Sequence, residues 1–499
     1  MRNVCDYGAR GDGVTKDTRS IQSAIDATAA SGGGTVHVPP GTYLTGTLFL
    51  RSHITLHLEA GATLLGSPDR ADYNADDCFP ENNVFACEKA TGGHLLIAYR
   101  CRNVAITGEG CIDGNSLSFF DSASCNLSLG NMACRAAGEH FDIPSHPGTR
   151  LGQMIQFTLC ENVQLRGVRL CNPSYWTLFL HGCRAVRIDG LSIENPPQTP
   201  NGDGIDIDCC ERVTVSNCII KTSDDCITLR ANETPLGGPF PCRDITVTNC
   251  VLSSRCNAIR IGVGNGTISH CLFSNIAITD TRTGISINAS IPCLDFSCAI
   301  AHVRFSDIQM DVRIPLYMVN SEGTAPLRPG AGIRDIVLSG IQGTATAGFL
   351  ASGMPGLPLA NITFREIGLE LVEGSDNRVF QERGVPYPVD GHWGSAGYET
   401  IPCGLYIRNA ERVLVEGCSF SWTRPGAGWL DAVQCVNVGD LSIVGGLWRT
   451  PHPDRGAAVR VRACRNVGVQ QVCASSGMHA LLAVEDMPQT EVRCSGLPS

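Results

Sequence analysis

Val215-Ser216-Asn217-Cys218-Ile219-Ile220 returns 32 residues later as Val247-Thr248-Asn249-Cys250-Val251-Leu252. The shared pattern is apolar, polar, Asn/Asp/Gly, small or apolar, any, apolar. It occurs upstream at 165–170 and 188–193, and downstream at 273–278, 305–310, 338–343 and 364–369. Three more copies begin at Val415, Ile443 and Val469. Successive copies start 23 to 33 residues apart, except for one interval of 51 before Val415, where a degraded or looped-out rung is expected. Such a period, with no helical pattern between copies, points to stacked β-coils. The signature of leucine-rich repeats is absent. The predicted fold is therefore all-β: a right-handed parallel β-helix in which each coil covers the open apolar side of its neighbour. Cys218, Cys250 and Cys418 share one position of the repeat and are expected as an inward stack of thiols.

Composition agrees. The chain has 499 residues, 55 of them Gly, and only 17% are charged, which suits short strands joined by tight turns. A net charge of −10 and the absence of a Lys/Arg stripe argue against nucleic acid as a partner. No apolar run is long enough to span a membrane as a helix. The start, Met1-Arg2-Asn3-Val4-Cys5-Asp6, lacks the regions of a secretory signal, so a cytoplasmic location is expected. The 26 cysteines include no C-x-x-C pair; in a chain of this length they read as reduced core residues rather than a disulfide or zinc framework.

One β-helical domain is expected over 1–499. Residues 1–66 supply a cap and the first coils, 67–150 a loop-rich insertion, and 151–499 the regular coils. The cap is a predicted helix over 17–30, with Ile21, Ala24 and Ile25 on one face and Ser31-Gly32-Gly33-Gly34 ending it. The loops of 67–150 and 374–400 are expected to set specificity.

A second repeat lies between the first ones. Trp176-Thr-Leu-Phe-Leu-His181, Asp203-Gly-Ile-Asp-Ile-Asp208, Asp225-Cys-Ile-Thr-Leu-Arg230, Asn257-Ala-Ile-Arg-Ile-Gly262 and Thr283-Gly-Ile-Ser-Ile-Asn288 align without gaps. Their third and fifth positions are Leu or Ile and point inward; the fourth and sixth point out. Rungs about 4.8 Å apart put Asp203 beside Asp225, with Asp224 one residue away. Asp206 and Asp208 are read as cross-rung partners of Thr228 and Arg230. Nothing in the columns of Asp203, Asp224 and Asp225 neutralises all three, and crowded carboxylates force at least one pKa upward. That suits a general acid at neutral pH.

At these residues the chain resembles the polygalacturonase family, glycoside hydrolase family 28. Asn172-Pro-Ser-Tyr-Trp176-Thr resembles its N-P-x-x-W-T segment, Asn201-Gly202-Asp203 its N-T-D motif with Gly for Thr, and Asp224-Asp225 its D-D motif. The resemblance implies that Asp224 is the general acid, that Asp203 and Asp225 hold and deprotonate the attacking water, and that the anomeric carbon inverts. Rung spacing alone would also fit the shorter carboxylate separation of retaining enzymes. Two departures stand out. The family's G-H-G aligns with Cys256-Asn257-Ala258, and its carboxylate-gripping R-I-K with Ser286-Ile287-Asn288. Arg260 and Arg282 are candidates for a differently placed cation, Arg260 also being a candidate partner of Asp206. Trp176 is a candidate for stacking on a sugar or for packing, and His181 for the missing His. Asn201 and Asn257 complete the expected substrate-binding set.

The expected function is metal- and cofactor-independent hydrolysis of pectic, galacturonate-containing oligosaccharides, in exo mode. Two other readings use the same residues. A polysaccharide lyase would need a cation, usually calcium, on the carboxylates and an Arg or Lys base. A catalytically inactive β-helix would bind carbohydrate without turnover.

Overall fold

The computed structural model describes residues 1–75, 92–119, 151–197, 199, 201–291, 296–320, 328–372, 403–425, 429–474 and 480–495. The fold is a right-handed parallel β-helix. Its contacts divide the chain into two compact units, Met1–Cys256 and Asn257–Ser499.

In the first unit a coil consists of three short strands, such as Leu178–His181, Arg184–Asp189 and Ser192–Glu194. Each strand pairs in parallel with its counterpart in the next coil: Leu178 with Ile205, Ile188 with Val215, Ile193 with Ile220. All six side chains are buried. The second unit repeats the scheme. Phe273, Phe305, Leu338, Phe364, Val415, Ile443 and Val469 form one inward column. The rings of Phe273 and Phe305 stack with centroids 5.0 Å apart.

The third position of the six-residue repeat has a backbone reason. Gly167, Gly190, Asn217, Asn249, Asn275, Asp307, Gly340, Glu366, Gly417, Gly445 and Gln471 all have positive φ. The chain turns a corner there in the left-handed region, which Gly, Asn and Asp tolerate and other residues resist. Glu366 (φ 50°) and Gln471 (φ 53°) are the two copies that break the residue rule while keeping the conformation.

A thiol ladder accompanies the corner between the first and second strands. Cys101, Cys160, Cys183 and Cys210 each sit one residue before a second strand, and Cys242 is the first residue of one. Each Sγ–H donates to a carbonyl of the preceding coil, Cys160 to Ala98 O at 3.2 Å and Cys183 to Phe157 O at 3.3 Å. These buried cysteines are free thiols, as are Cys218, Cys250 and Cys418. Burial pushes the Cys183 thiol well above its ordinary value.

The expected helix forms over Thr18–Ala30 and buries Ile21, Ala24 and Ile25. It packs on the strands Gly34–Val38 and Ile54–Leu58. The Asp17 carboxylate accepts from the backbone N–H of Arg10 and Gly11 at 2.8 and 3.0 Å, tying the preceding loop to the helix start. No helix among the described residues is long and apolar enough to cross a membrane.

Two sequence expectations are corrected. Within 67–150, strands Leu96–Tyr99, Arg102–Gly108 and Cys111–Asp113 make a complete coil, in register with its neighbours. Phe364 pairs directly with Val415, so no rung hides in the 51-residue interval. The extra length lies in 373–402, which includes the expected 374–400 loop and falls outside the described residues.

Replacing Glu366 with Asn relieves the corner without adding a glycine's unfolded-state entropy. We expect a gain of about 1 kcal/mol in unfolding free energy, read from denaturant titration. An unchanged or lower midpoint would contradict the strain argument.

Candidate active site

Five strands of the first unit carry the site: β1 (Leu96–Tyr99), β2 (Ile155–Thr158), β3 (Leu178–His181), β4 (Ile205–Asp208) and β5 (Ile227–Ala231). They pair in parallel in that order. The ladder continues through the turns before the strands, with Thr177 N–H donating to Asp203 O at 2.9 Å and Gly204 N–H to Asp225 O at 2.8 Å. Trp176, Asp203 and Asp225 therefore form one column, and Asp224 flanks it. The structure brings the three expected acids together.

The turns are held by buried polar side chains. Thr177 Oγ1 donates to Asp203 O at 2.7 Å; Asn195 Nδ2 donates to Thr177 Oγ1 and to Gly202 O, both at 2.8 Å. Thr222 Oγ1 and Ser254 Oγ both donate to Asp224 O. Space is just as restrictive. A Cβ on Gly202 would lie 2.3 Å from Ser223 Oγ, and one on Gly204 would lie 2.5 Å from Cys226 O. The replacement of Thr by Gly before Asp203 thus follows from the packing of the next rung.

Asp203 and Asp225 are 2% and 0% exposed, and Asp224 8%. Burial raises the Asp203 pKa well above the usual carboxylate range, and the charges of Asp206, Asp224 and Asp225 raise it further. Burial likewise pushes Asp206 up to about 7, against the opposing pull of Arg230. Arg230 is the cation of this cluster. Its Nε donates to Asp206 Oδ1 at 2.7 Å and its Nη2 to Asp203 Oδ2 at 3.3 Å. Its Cζ also lies 4.0 Å from the Trp176 ring centroid, a cation–π contact sealed from solvent.

This corrects the expected pairing. Arg230 reaches Asp206 and Asp203 rather than Asp208, because its long side chain leans back across the sheet. The same contact supplies the cation on Asp206 that Arg260 was a candidate for. Asp208 instead accepts from Asn232, N–H to Oδ1 at 2.7 Å and Nδ2 to Oδ2 at 2.6 Å. Trp176 is enclosed: Tyr175 stacks on it at 4.8 Å, Phe179 meets it edge-on and Arg230 lies over the ring. It packs and holds Arg230; its faces are not offered to a sugar. His181 belongs to the Asp208 column, its Nε2–H donating to Asn232 O at 3.1 Å, and so does not replace the missing His. Asn201, in the left-handed region at φ 48°, points its Nδ2 at Asp224 Oδ2, 3.4 Å away.

Asn257, Arg260 and Arg282 lie in the second unit. There Asn257 pairs in register with Thr283 and Arg260 with Ser286; Asn257 and Arg282 are buried. Thr177, Asn195 and Arg230 are the residues whose roles the sequence reading missed. Thr177 lay within a quoted motif and Arg230 within an aligned rung, but nothing in either showed direction.

Ligand atoms of Asp224, Asp225 and Cys256 lie within 4.8 Å of one another. Two carboxylates and a thiol do not suit calcium, which takes six to eight oxygens. This trio is therefore not a calcium site.

The model for glycosyl hydrolases family 28 matches residues 60–375, more than half of the chain. The chain belongs to glycosyl hydrolases family 28. Among similar sequences, a probable polygalacturonase of Vitis vinifera is 26% identical over 58% of this chain and 57% of its own length. An exo-poly-alpha-D-galacturonosidase of Dickeya chrysanthemi is 29% identical over 46% of this chain and 42% of its own length. The family-28 chain thus spans about half the length of the curated relatives it matches. Among solved structures, a hyperthermoactive exopolygalacturonase from Thermotoga maritima superposes with a TM-score of 0.57, covering 74% of this chain and 86% of that one at 21% identity. The polygalacturonase of Erwinia carotovora gives 0.53 over 71% and 90% at 16% identity. At such identities the likeness is one of fold.

The acid cluster makes stability depend on pH with a definite sign. A carboxyl whose pKa is raised by folding holds its proton more tightly in the native state. Its contribution is full below the unfolded value of about 3.9 and is lost as pH rises through the folded value. For Asp206 that window ends near pH 7, and for Asp203 it also lies above the ordinary range. Asp203→Asn is therefore expected to unfold at a higher temperature than wild type at pH 8, with the advantage shrinking toward pH 4. Equal midpoints at pH 8 would show that Asp203 is not strained by burial.

Proposed function

We propose that this chain hydrolyses α-glycosidic bonds in galacturonate-containing oligosaccharides, releasing sugar from chain ends with inversion. The observation that carries the reading is the acidic rung: Asp203 in register with Asp225, Asp224 beside it, all three buried, with burial and the neighbouring acids raising the pKa of Asp203. Family membership supports the reaction class. The exo mode and the uronide substrate are supported by the described activity of the Dickeya relative.

In this reading Asp224 is the general acid. It is the least buried of the three and has the Asn201 amide at its carboxylate. It gives its proton to the glycosidic oxygen as the bond from that oxygen to the anomeric carbon breaks. Asp203 and Asp225 orient a water, whose oxygen bonds to the anomeric carbon while its proton passes to one of them. Arg230 balances Asp206 and part of the Asp203 charge. Buried as it is against Trp176, Arg230 acts as a positioning group for Asp203 and makes no contact with sugar in this scheme.

The test is a product assay on a panel of pectic oligosaccharides, with wild type and Asp224→Asn side by side. The wild type should release reducing sugar and the variant should lose about a hundredfold to ten-thousandfold in kcat, the usual worth of a general acid. Proton NMR of the first product should show the anomer opposite to that of the substrate. An unsaturated product absorbing in the ultraviolet would establish a lyase instead. Sugar binding without turnover in the wild type would establish a binding protein.

A further inference from the structure

Rungs preceding the acidic one contain a cation and an amide that the reaction scheme leaves unused. The column of Asp225, Asp203 and Trp176 continues through Gln153 and His94, since Met154 N–H donates to Trp176 O at 2.8 Å and Leu95 N–H to Met154 O at 2.9 Å. At the spacing of parallel rungs, Gln153 stands about 10 Å from Asp203, within reach of a neighbouring sugar of a bound chain. Gln153 is fully buried, yet neither its Oε1 nor its Nε2 has a hydrogen-bond partner. Leaving an amide dry and unpaired is costly, and native interiors rarely do so without a ligand or water at the site. The His94 ring beside it is oriented by a bond from Nδ1–H to Gln153 O at 2.7 Å.

Arg70 lies against the same place. Gly93, the residue before His94, leaves room for it: a Cβ there would sit 3.1 Å from Arg70 Cζ and 3.2 Å from Nη1. Gly93 also has φ +72°, a conformation in which a side chain would be strained. The guanidinium is half-buried and Nη1 donates to Asn74 O at 3.1 Å. Among the described residues no carboxylate pairs with it. Burial lowers its pKa, and the nearby Tyr73 phenol opposes that only in part. Arg460, also partly buried, by contrast has Asp431 and Glu485 as carboxylate partners.

We propose that Arg70 and Gln153 form a uronate subsite, Arg70 binding a carboxylate of the substrate and Gln153 its ring hydroxyls. The proposal rests on the pectic reading above. It puts a cation within the first unit, whereas the positions aligned with the family's carboxylate-gripping pair, Ser286 and Asn288, carry no charge. A guanidinium suits this task because its planar fork meets a carboxylate with two parallel bonds, and the Gln amide can both donate to and accept from hydroxyls.

The test uses the full chain carrying Asp224→Asn, so that ligand survives, and reads trigalacturonate binding by calorimetry. Adding Arg70→Gln should weaken binding about tenfold or more, the range for a hydrogen-bonded charge. The fully methyl-esterified trimer should lose little, since its carboxylate is gone. Gln153→Ala should weaken both ligands alike. Arg70→Lys should restore part of the charge-dependent binding, and thermal midpoints close to the parent would show that these variants fold. Unchanged trigalacturonate affinity in Arg70→Gln, with wild-type hydrolysis intact, would overturn the subsite alone and leave Gln153 to a buried water. Failure of the wild type to hydrolyse any uronide, together with failure of Asp224→Asn to bind one, would overturn the pectic reading and the subsite with it.

Discussion

Register between parallel coils is the constraint from which the rest of this structure follows. Residues one coil apart in sequence become neighbours at about 4.8 Å, inside and outside the helix alike. Inside, that proximity is favourable. Ile, Leu, Phe and Cys stack on their own kind, and a slip of one residue would turn every apolar column to solvent. Outside, the same proximity is indifferent to cost. It brings Asp203 against Asp225 because the inward Ile205 and Ile227 are paired. The site is a by-product of the core's register, which explains how it can be both crowded with charge and rigid.

Crowding is made tolerable by a single layered contact. Trp176 provides a π-face, Arg230 lies on it, and the guanidinium reaches two carboxylates from there. A buried guanidinium is costly unless its hydrogen bonds are met, and here its charge answers two acids and its face answers a ring. The acids still outnumber it in the immediate cluster, so burial prevails at Asp203 and Asp206 and their protons are held more tightly than in water. An excess of carboxylate over cation is destabilising for the fold and useful for proton transfer. The two effects have one origin.

Much of this was legible in the sequence because a solenoid writes its contacts at short, regular intervals. The left-handed corner selected Asn217 and Asn249 and so announced the coil; the inward pairs Leu178/Leu180, Ile205/Ile207 and Ile227/Leu229 announced the register. From those, the meeting of Asp203, Asp224 and Asp225 could be deduced. What could not be deduced was where long side chains lean. Arg230 stands opposite Asp208 in register but bends back to Asp206 and Asp203, and Asp208 turns to Asn232, two residues beyond Arg230. Column position determines the Cβ, whereas partner choice is decided several bonds further out. The coil of 96–113 is hard to read for a different reason: no second copy of its pattern stands next to it in the sequence to align with.

The departures from the family's pattern divide along the same line. Gly202 in place of Thr is local and explained by Ser223 Oγ, which occupies the space a Cβ would need. The replacement of the family's His and basic pair by Asn257, Ser286 and Asn288 lies in the second unit, where Asn257 and Ser286 stand opposite Thr283 and Arg260 in register and the Ser286 hydroxyl donates to Asn288 Oδ1 at 2.9 Å. Substitutions that packing does not require are the ones free to follow the ligand. Under the proposed function, the three acids, whose geometry the core imposes, carry the reaction, and recognition falls to other groups. Gly93, whose missing side chain makes room for Arg70, belongs to that second category, since the parallel ladder at Leu95 and Leu96 would form equally well without a guanidinium above it.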